Sequence, residues 1–114
     1  MGLFPDTEAV YINQFPGLPA EGCFEATYVV PDNDAFWSIT VYDGEGYMFS
    51  DNSNINSTAA TYNEDGTLTV HYGNCDHGPN RLDITDGWNL LMRVYRPGAS
   101  VRNGDYVMPE VTRA

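Results

Sequence analysis

The amino-acid sequence predicts a single-domain all-β fold of about six to eight strands, an antiparallel β-sandwich or barrel. Apolar side chains recur at every second position in several short segments, which is the period of strands that turn one face to a core. Clusters of Gly, Pro, Asn and Asp separate these segments, and none has the length and period of a convincing helix. The 114 residues suit one domain, so residues 1–114 are expected to form a single unit.

The strongest strand candidate covers residues 35–43, where Trp37, Ile39 and Val41 share one face. Aromatic and β-branched side chains of this kind suit a pleated, half-buried surface. Trp37 is therefore expected to pack in the core. The alternative, a platform on which a ligand stacks, is less favoured because a large aromatic side chain in the middle of a strand usually points inward.

Two further strands are expected before this one, over residues 8–13 and 22–30, with a Pro- and Gly-rich loop over 14–22 between them. The second of these strands alternates in the same way. Its expected core-facing side chains are Phe24, Ala26, Tyr28 and Val30. A Pro-Asp-Asn-Asp turn then leads into the central strand, so these two neighbours are expected to form an antiparallel pair.

The second half of the chain is read in the same manner. Residues 46–50 offer a continuation of the sheet, and the Asn- and Ser-rich residues 51–58 are expected to form a surface loop. Residues 59–72 are typical of a hairpin that turns at 63–66. Residues 88–96 form another strand candidate bounded by Gly and Pro. Its expected core-facing side chains are Trp88, Leu90, Met92 and Val94.

The charge balance limits the partners that the chain can have. It has sixteen acidic residues and five basic ones, all of them Arg, for a net charge of −11. Such a field repels phosphates, so neither nucleic acid nor an anionic membrane surface is an expected partner. No apolar stretch approaches the ~20 residues of a membrane helix. The first residues also lack the pattern of a signal peptide, so a soluble protein of undetermined compartment is expected.

The chain has two cysteines, Cys23 and Cys75. They could form one disulfide, but the spacing does not decide the question. Two reduced thiols, at least one of them buried as a small apolar side chain, are the favoured interpretation. A structural zinc site is not expected because there is no Cys-x-x-Cys pair.

The candidates for site chemistry centre on the only two histidines, His71 and His77. Together with Asp76 they offer the two nitrogens and one carboxylate of a common transition-metal site. Asn80 follows in the same polar loop and extends the group. This spacing matches no fixed ligand template, so unrelated loop and surface side chains are favoured, and no metal or cofactor is predicted.

Arg93 is the other candidate, because it lies in an otherwise apolar strand on the face of Asn89, Leu91 and Tyr95. If it is buried, it needs a carboxylate partner. If it is exposed, its stem covers apolar surface. A functional alternative is an anion anchor in a cleft between the sheets.

Three segments in order resemble the DUF1214 family: Ala-Phe-Trp-Ser-Ile-Thr-Val-Tyr-Asp at 35–43, Tyr-Asn-Glu-Asp-Gly-Thr-Leu-Thr-Val at 62–70, and Gly-Trp-Asn-Leu-Leu-Met-Arg-Val-Tyr-Arg-Pro at 87–97. The resemblance implies a jelly-roll-like β-sandwich whose biochemical function is not established. It also implies a position C-terminal to a DUF1254 domain in a larger, often secreted protein. The family's Asn-Trp before the last core strand is replaced here by Asn80-Arg81, which weakens the expectation of any site built around that Trp.

A structural or interaction module without catalysis of its own is the first functional prediction. The alternatives are a small-ligand or carbohydrate binder that uses the many aromatic residues, and a metal-dependent enzyme with its site around His71, Asp76 and His77. The candidate ligand-binding residues are His71, Asp76, His77, Asn80 and Arg93. The apolar Leu91 and Tyr95 on the outer face of the last core strand predict self-association, as a homodimer that tightens with salt.

Overall fold

The computed structural model describes residues 9–31, 33–75, 80–98, 101, 104 and 106–113. The strands whose bounds it gives are β1 (Ala9–Gln14), β2 (Cys23–Tyr28), β3 (Asn33–Tyr42), β4 (Asn54–Asn56), β5 (Leu68–Gly73), β6 (Arg81–Leu82), β7 (Asn89–Pro97) and β8 (Thr112–Arg113). No helix with the length and hydropathy of a membrane span occurs in the described part of the chain.

The strands form two four-stranded sheets, which confirms the predicted all-β sandwich. Sheet A has the order β1-β7-β3-β4, and each of its neighbouring pairs is antiparallel. Sheet B has the order β6-β5-β2-β8 and is antiparallel except for the short β5–β6 pair, which is parallel and was not predicted. The jelly-roll connectivity implied by the family resemblance stays a prediction.

The inner faces of the two sheets meet in one hydrophobic core, as the period-two pattern predicts. Sheet A contributes Trp37, Ile39, Val41, Leu90, Met92 and Val94, none of them more than 1% exposed. Sheet B contributes Phe24, Ala26, Tyr28, Leu68, Val70 and Tyr72. The prediction that Trp37 is a core residue is therefore confirmed.

A pair of tyrosine hydroxyls lies inside this apolar core. The Tyr28 and Tyr72 oxygens are 2.7 Å apart in a buried hydrogen bond, and the Trp88 ring stacks on Tyr72 with its centroid 5.2 Å away. Burial raises the pKa of both phenols, because the charged phenolate would lose its hydration. The hydrogen bond satisfies polar groups that would otherwise be costly to bury.

The predicted pairing of the strands on either side of the Pro-Asp-Asn-Asp turn is wrong. β2 pairs with β5 and β8, whereas β3 pairs with β4 and β7. The turn therefore carries the chain from one sheet to the other. The alternation of a strand shows that one of its faces is buried, but it does not show which strand lies beside it.

Two expectations for the loops also need correction. The predicted surface loop at 51–58 contains β4, where Ile55 and the neighbouring Ser53 are buried. Residues 46–50 form no strand. A short strand pairs with its neighbour through backbone groups, so a polar composition does not exclude it.

The predicted hairpin at 59–72 is confirmed only in part. Its turn forms where expected, since the Asn63 amide donates to the Thr67 carbonyl oxygen at 2.8 Å. The segment before the turn is not a strand, and β5 pairs instead with β2 and β6.

Cys23 and Cys75 form a disulfide, so the expectation of two reduced thiols is wrong. The register of sheet B explains why they meet. Cys23 at the start of β2 lies opposite Gly73 at the end of β5, and the next amide, of Asn74, donates to the Gly22 carbonyl oxygen at 2.9 Å. Cys75 is thereby placed beside Cys23 across 52 residues of sequence.

Candidate functional site

The predicted site residues do not share one location. His71 lies on β5 between the core residues Val70 and Tyr72, so its side chain points to the outer face of sheet B. Arg93 lies on β7 between Met92 and Val94, and it points to the outer face of sheet A. The full thickness of the core separates these two side chains, so they cannot contact one ligand together.

Asn80 has a role inside the fold. Its Oδ1 accepts from the Thr61 amide at 2.8 Å, and its Nδ2 donates to the carbonyl oxygens of Thr61 and Thr69 at 2.8 and 2.9 Å. Its own carbonyl oxygen accepts from the His71 amide at 3.0 Å. The side chain thus fastens the segment before the hairpin turn to the edge of sheet B.

The other two members of the predicted cluster, Asp76 and His77, lie outside the described residues, so the four-residue site stays a prediction. His71 Nε2 lies 3.6 Å from Glu25 Oε2, its neighbour across the β2–β5 pair. Within the described ranges, no three or more His, Cys, Asp or Glu side chains form a group able to hold a metal ion.

Arg93 is held by hydroxyl groups and an aromatic ring. Its Nη2 donates to Tyr42 Oη at 2.7 Å, and its Nη1 lies 3.4 Å from Thr40 Oγ1. The guanidinium carbon also lies 5.7 Å from the centre of the Tyr11 ring, in a cation–π contact. The alternative of an anchor between the sheets is wrong, because Arg93 lies on an outer face.

Around Arg93, the described side chains on the outer face of sheet A are rich in aromatic rings and include no acidic group. The described side chains on this face are Tyr11, Asn13, Phe36, Ser38, Thr40, Tyr42, Asn54, Asn56, Asn89, Leu91, Arg93 and Tyr95. Phe36 stacks on Tyr95 with ring centroids 4.4 Å apart, and Tyr11 and Phe36 remain 57% and 43% exposed. None of these described side chains is a carboxylate, although the chain has sixteen acidic residues.

Several connections between strands meet at one end of the sandwich, which we call the loop end: residues 15–22, 43–53 and 83–88. Trp88 Nε1 donates to the Pro19 carbonyl oxygen at 3.1 Å. The backbone amide of Asp83 donates to the Asn52 carbonyl oxygen at 2.9 Å. At Gly44 and Gly87 two turns approach so closely that a Cβ on Gly87 would lie 2.9 Å from the Gly44 Cα.

An open cleft of about 220 Å³ lies at the loop end, and we call it the loop-end cleft. It is lined by Ala20, Phe49, Ser50, Gly73, Asn74, Arg81, Asp83 and Ile84. Sequence reasoning missed it, because the lining comes from four separate stretches of the chain and includes none of the predicted site residues.

The polar side of the loop-end cleft is an ion pair fixed by further hydrogen bonds. Leu82 points into the core, so its neighbours Arg81 and Asp83 both point outward. Arg81 Nη1 lies 3.0 Å from Asp83 Oδ1 and donates to the Gly73 carbonyl oxygen at 2.9 Å. The hydroxyl of Ser50 donates to Asp83 Oδ2. This bond, with help from Arg81, lowers the pKa of Asp83, so the carboxylate is ionised at neutral pH.

The comparisons with known proteins identify a family. The family model described as "Protein of unknown function (DUF1214)" matches residues 23–99. No protein with a curated description matches the chain.

Two solved structures share the fold. The VPA0106 protein from Vibrio parahaemolyticus superposes with a TM-score of 0.86 at 22% identity, over 99% of this chain and 32% of its own. An uncharacterised protein from Burkholderia cenocepacia superposes with a TM-score of 0.71 at 20% identity, over 96% of this chain and 31% of its own. The chain therefore spans about a third of the length of these two proteins.

Proposed function

Since the chain belongs to the DUF1214 family, whose members are described as proteins of unknown function, we propose its role from its own surfaces: it is an interaction module without catalysis of its own. The contact surface is the outer face of sheet A, and its partner is a second copy of the chain.

The proposal depends on one observation: the described side chains of that face include several aromatic rings and no acidic group. Tyr, Phe and Arg are enriched at protein interfaces, Tyr and Arg are among the residues that contribute most binding energy, and Asp and Glu are depleted there. A strongly acidic protein can approach another copy of itself most closely where acids are absent. The outer face of sheet A meets this condition in its described side chains.

The face is also ordered before any contact is made. Tyr42 and Tyr11 hold the guanidinium of Arg93, and Phe36 is stacked on Tyr95. Side chains that are already fixed lose little conformational freedom on association. The fixed side chains therefore favour association through the outer face of sheet A. The apolar Leu91 and Tyr95 predict the same contact face from the sequence.

The size of the face predicts a weak association. Four strands of about six residues span about 400 Å², from the spacing and rise of β-strands. That is roughly half of the ~800 Å² that each partner buries in a standard stable interface. The net charge of −11 adds repulsion between copies, so the dimer is expected to depend on concentration and to tighten as salt screens this repulsion.

Multi-angle light scattering over a dilution series at low and high salt tests the proposal. The wild-type mass should rise from monomer towards dimer with concentration, and more steeply at high salt. Phe36→Ser combined with Tyr11→Ser should shift this transition to higher concentration. Tyr47→Ser is the matched control, because Tyr47 is 67% exposed but lies at the loop end.

Two results would contradict the proposal. A monomer at every concentration and salt would exclude self-association. A dimer whose stability is unchanged by the paired substitution, or reduced as much by Tyr47→Ser, would place the contact on another surface.

A further inference from the structure

We propose that the loop-end cleft binds a neutral polyhydroxylated molecule about the size of a single sugar ring. This site is separate from the outer face of sheet A, so the inference is independent of the proposed interaction surface. It rests on the charge, the hydrogen-bonding capacity and the shape of the cleft.

The charge of the cleft favours an uncharged ligand. Arg81 and Asp83 form an ion pair, so their charges offset each other inside the cleft. An anionic ligand would be attracted by Arg81 but repelled by Asp83 and by the field of a chain with a net charge of −11. A cationic ligand would be attracted by Asp83 and by that field, but it would be repelled at the contact itself by the guanidinium of Arg81. A neutral ligand avoids both costs.

The hydrogen-bonding groups suit hydroxyls in particular. A guanidinium carries five N–H donors, and the two contacts described for Arg81 both use Nη1. The carboxylate of Asp83 accepts only, whereas the exposed amide of Asn74 can both donate and accept. A pair of adjacent hydroxyls can accept from Arg81 and donate to Asp83 at the same time. Hydroxyl groups lose their hydrogen bonds to water when the ligand binds, and hydrogen bonds to Arg81 and Asp83 would offset that loss of free energy.

The rest of the cleft gives the ligand an apolar wall and a small volume. Phe49, Ile84 and Ala20 contribute apolar side chains to its lining beside the polar groups. The C–H face of a sugar ring can cover an aromatic or aliphatic side chain while its hydroxyls point to the polar side. A volume of about 220 Å³ lies below the ~300–1,000 Å³ typical of pockets for drug-sized molecules, so a single ring is the expected size.

Covalent and hydrogen-bonded links hold the cleft in shape without a ligand. The Cys23–Cys75 disulfide and the Asn74–Gly22 backbone bond fix one wall. The other wall is fixed through Ser50, whose hydroxyl donates to Asp83 and accepts from the Asn52 amide at 3.0 Å. A preformed site loses less entropy on binding than one that must be ordered by its ligand.

Titration of the ¹⁵N-labelled chain with D-glucose, D-galactose and D-mannose, followed by amide chemical shifts, tests this inference. At least one of these sugars should shift the amides of Asn74, Arg81 and Asp83 and leave the outer face of sheet A unchanged. The expected dissociation constant is on the order of 1 mM, the range set by ligand efficiency for so small a molecule. D-glucuronate should bind more weakly than the neutral sugars.

A substitution that removes the charge of Asp83 tests whether this residue contacts the ligand or only supports the fold. Asp83→Asn replaces one carboxylate oxygen with an amide N–H donor, removes the negative charge and leaves the charge of Arg81 unopposed. It should weaken neutral-sugar binding about tenfold, the effect of one lost charge-assisted hydrogen bond, and it should strengthen glucuronate binding. Asp51→Asn makes the same charge change in a neighbouring exposed residue outside the cleft, and it should alter neither affinity. Asn74→Ala, at an exposed side chain, should also weaken binding, and it carries little risk to folding.

Several results would overturn the inference. One is the absence of shifts at the cleft amides with every neutral sugar at tens of millimolar. Another is glucuronate binding that is tighter than neutral-sugar binding in the wild type. Equal effects of Asp83→Asn and Asp51→Asn would show that net charge, rather than the cleft, governs binding.

Discussion

Removal of the Cys23–Cys75 disulfide is expected to lower the free energy of unfolding by about 4 kcal/mol. The two residues are 52 positions apart, so the bond closes a long loop in the unfolded chain. For a loop of this length, the chain-entropy relation gives about 14 cal/mol/K, or about 4 kcal/mol at 25 °C. The loss should be close to this value because the sheet register already brings Cys23 beside the end of β5.

Denaturant unfolding followed by circular dichroism measures the effect in three samples: oxidised wild type, reduced wild type, and the double variant Cys23→Ala/Cys75→Ala. The oxidised protein should have the highest midpoint. The other two should unfold at similar, lower denaturant concentrations. Reductant should not change the double variant, which makes that variant the control for other effects of the reagent.

Thiol titration of the unfolded, unreduced protein should detect no free cysteine. Two free thiols would refute the disulfide itself. Loss of less than about 1 kcal/mol on reduction would refute the entropic reasoning, because the measured effect would fall well below the loop term.

Three other changes test the core and its close contacts by denaturant unfolding. Trp37→Ala should cost about 3–5 kcal/mol, as for other buried aromatic residues, and a wild-type midpoint would show that Trp37 is not core. Stability should be constant from about pH 8 to about pH 10 and fall at higher pH, since burial raises the pKa of Tyr28 and Tyr72 above that of the unfolded chain. Equal stability from about pH 8 to about pH 11 would contradict this. Gly73→Ala should cost more than Gly66→Ala, since both have positive φ but only at Gly73 would a Cβ lie 2.3 Å from a carbonyl oxygen; equal losses would exclude that clash.

The sequence predicts those features of the fold that depend on the residue pattern within a single segment, such as which face of a strand is buried. Trp37, Ile39 and Val41 alternate with Ser38 and Thr40, and Leu90, Met92 and Val94 also recur at every second position, so the inner face of sheet A is visible in the pattern. Pairing depends on two segments together. For that reason the pattern did not show that the chain crosses between sheets after β2.

The loop-end cleft was not predictable for a related reason. Phe49 and Ser50, Asn74, and Arg81 with Asp83 come from connections that meet only when both sheets have formed. Their spacing along the sequence gives no indication that these residues lie close together in the fold. The pattern marks Arg93 as unusual in its strand, but it does not show that the described partners of Arg93 are hydroxyl groups and a ring on neighbouring strands.

The close approach of Gly44 and Gly87 limits which positions of the loop end can tolerate substitution. A side chain at Gly87 would collide with the backbone of the turn at Gly44. The two connections can therefore pack this closely only if position 87 remains glycine. Tyr47 and Met48, by contrast, are largely exposed in the same connection as Gly44. A library that randomises or lengthens the chain there, while both glycines are kept, should yield many folded variants with new loop chemistry. Mutational tolerance at this end should therefore change abruptly within three residues.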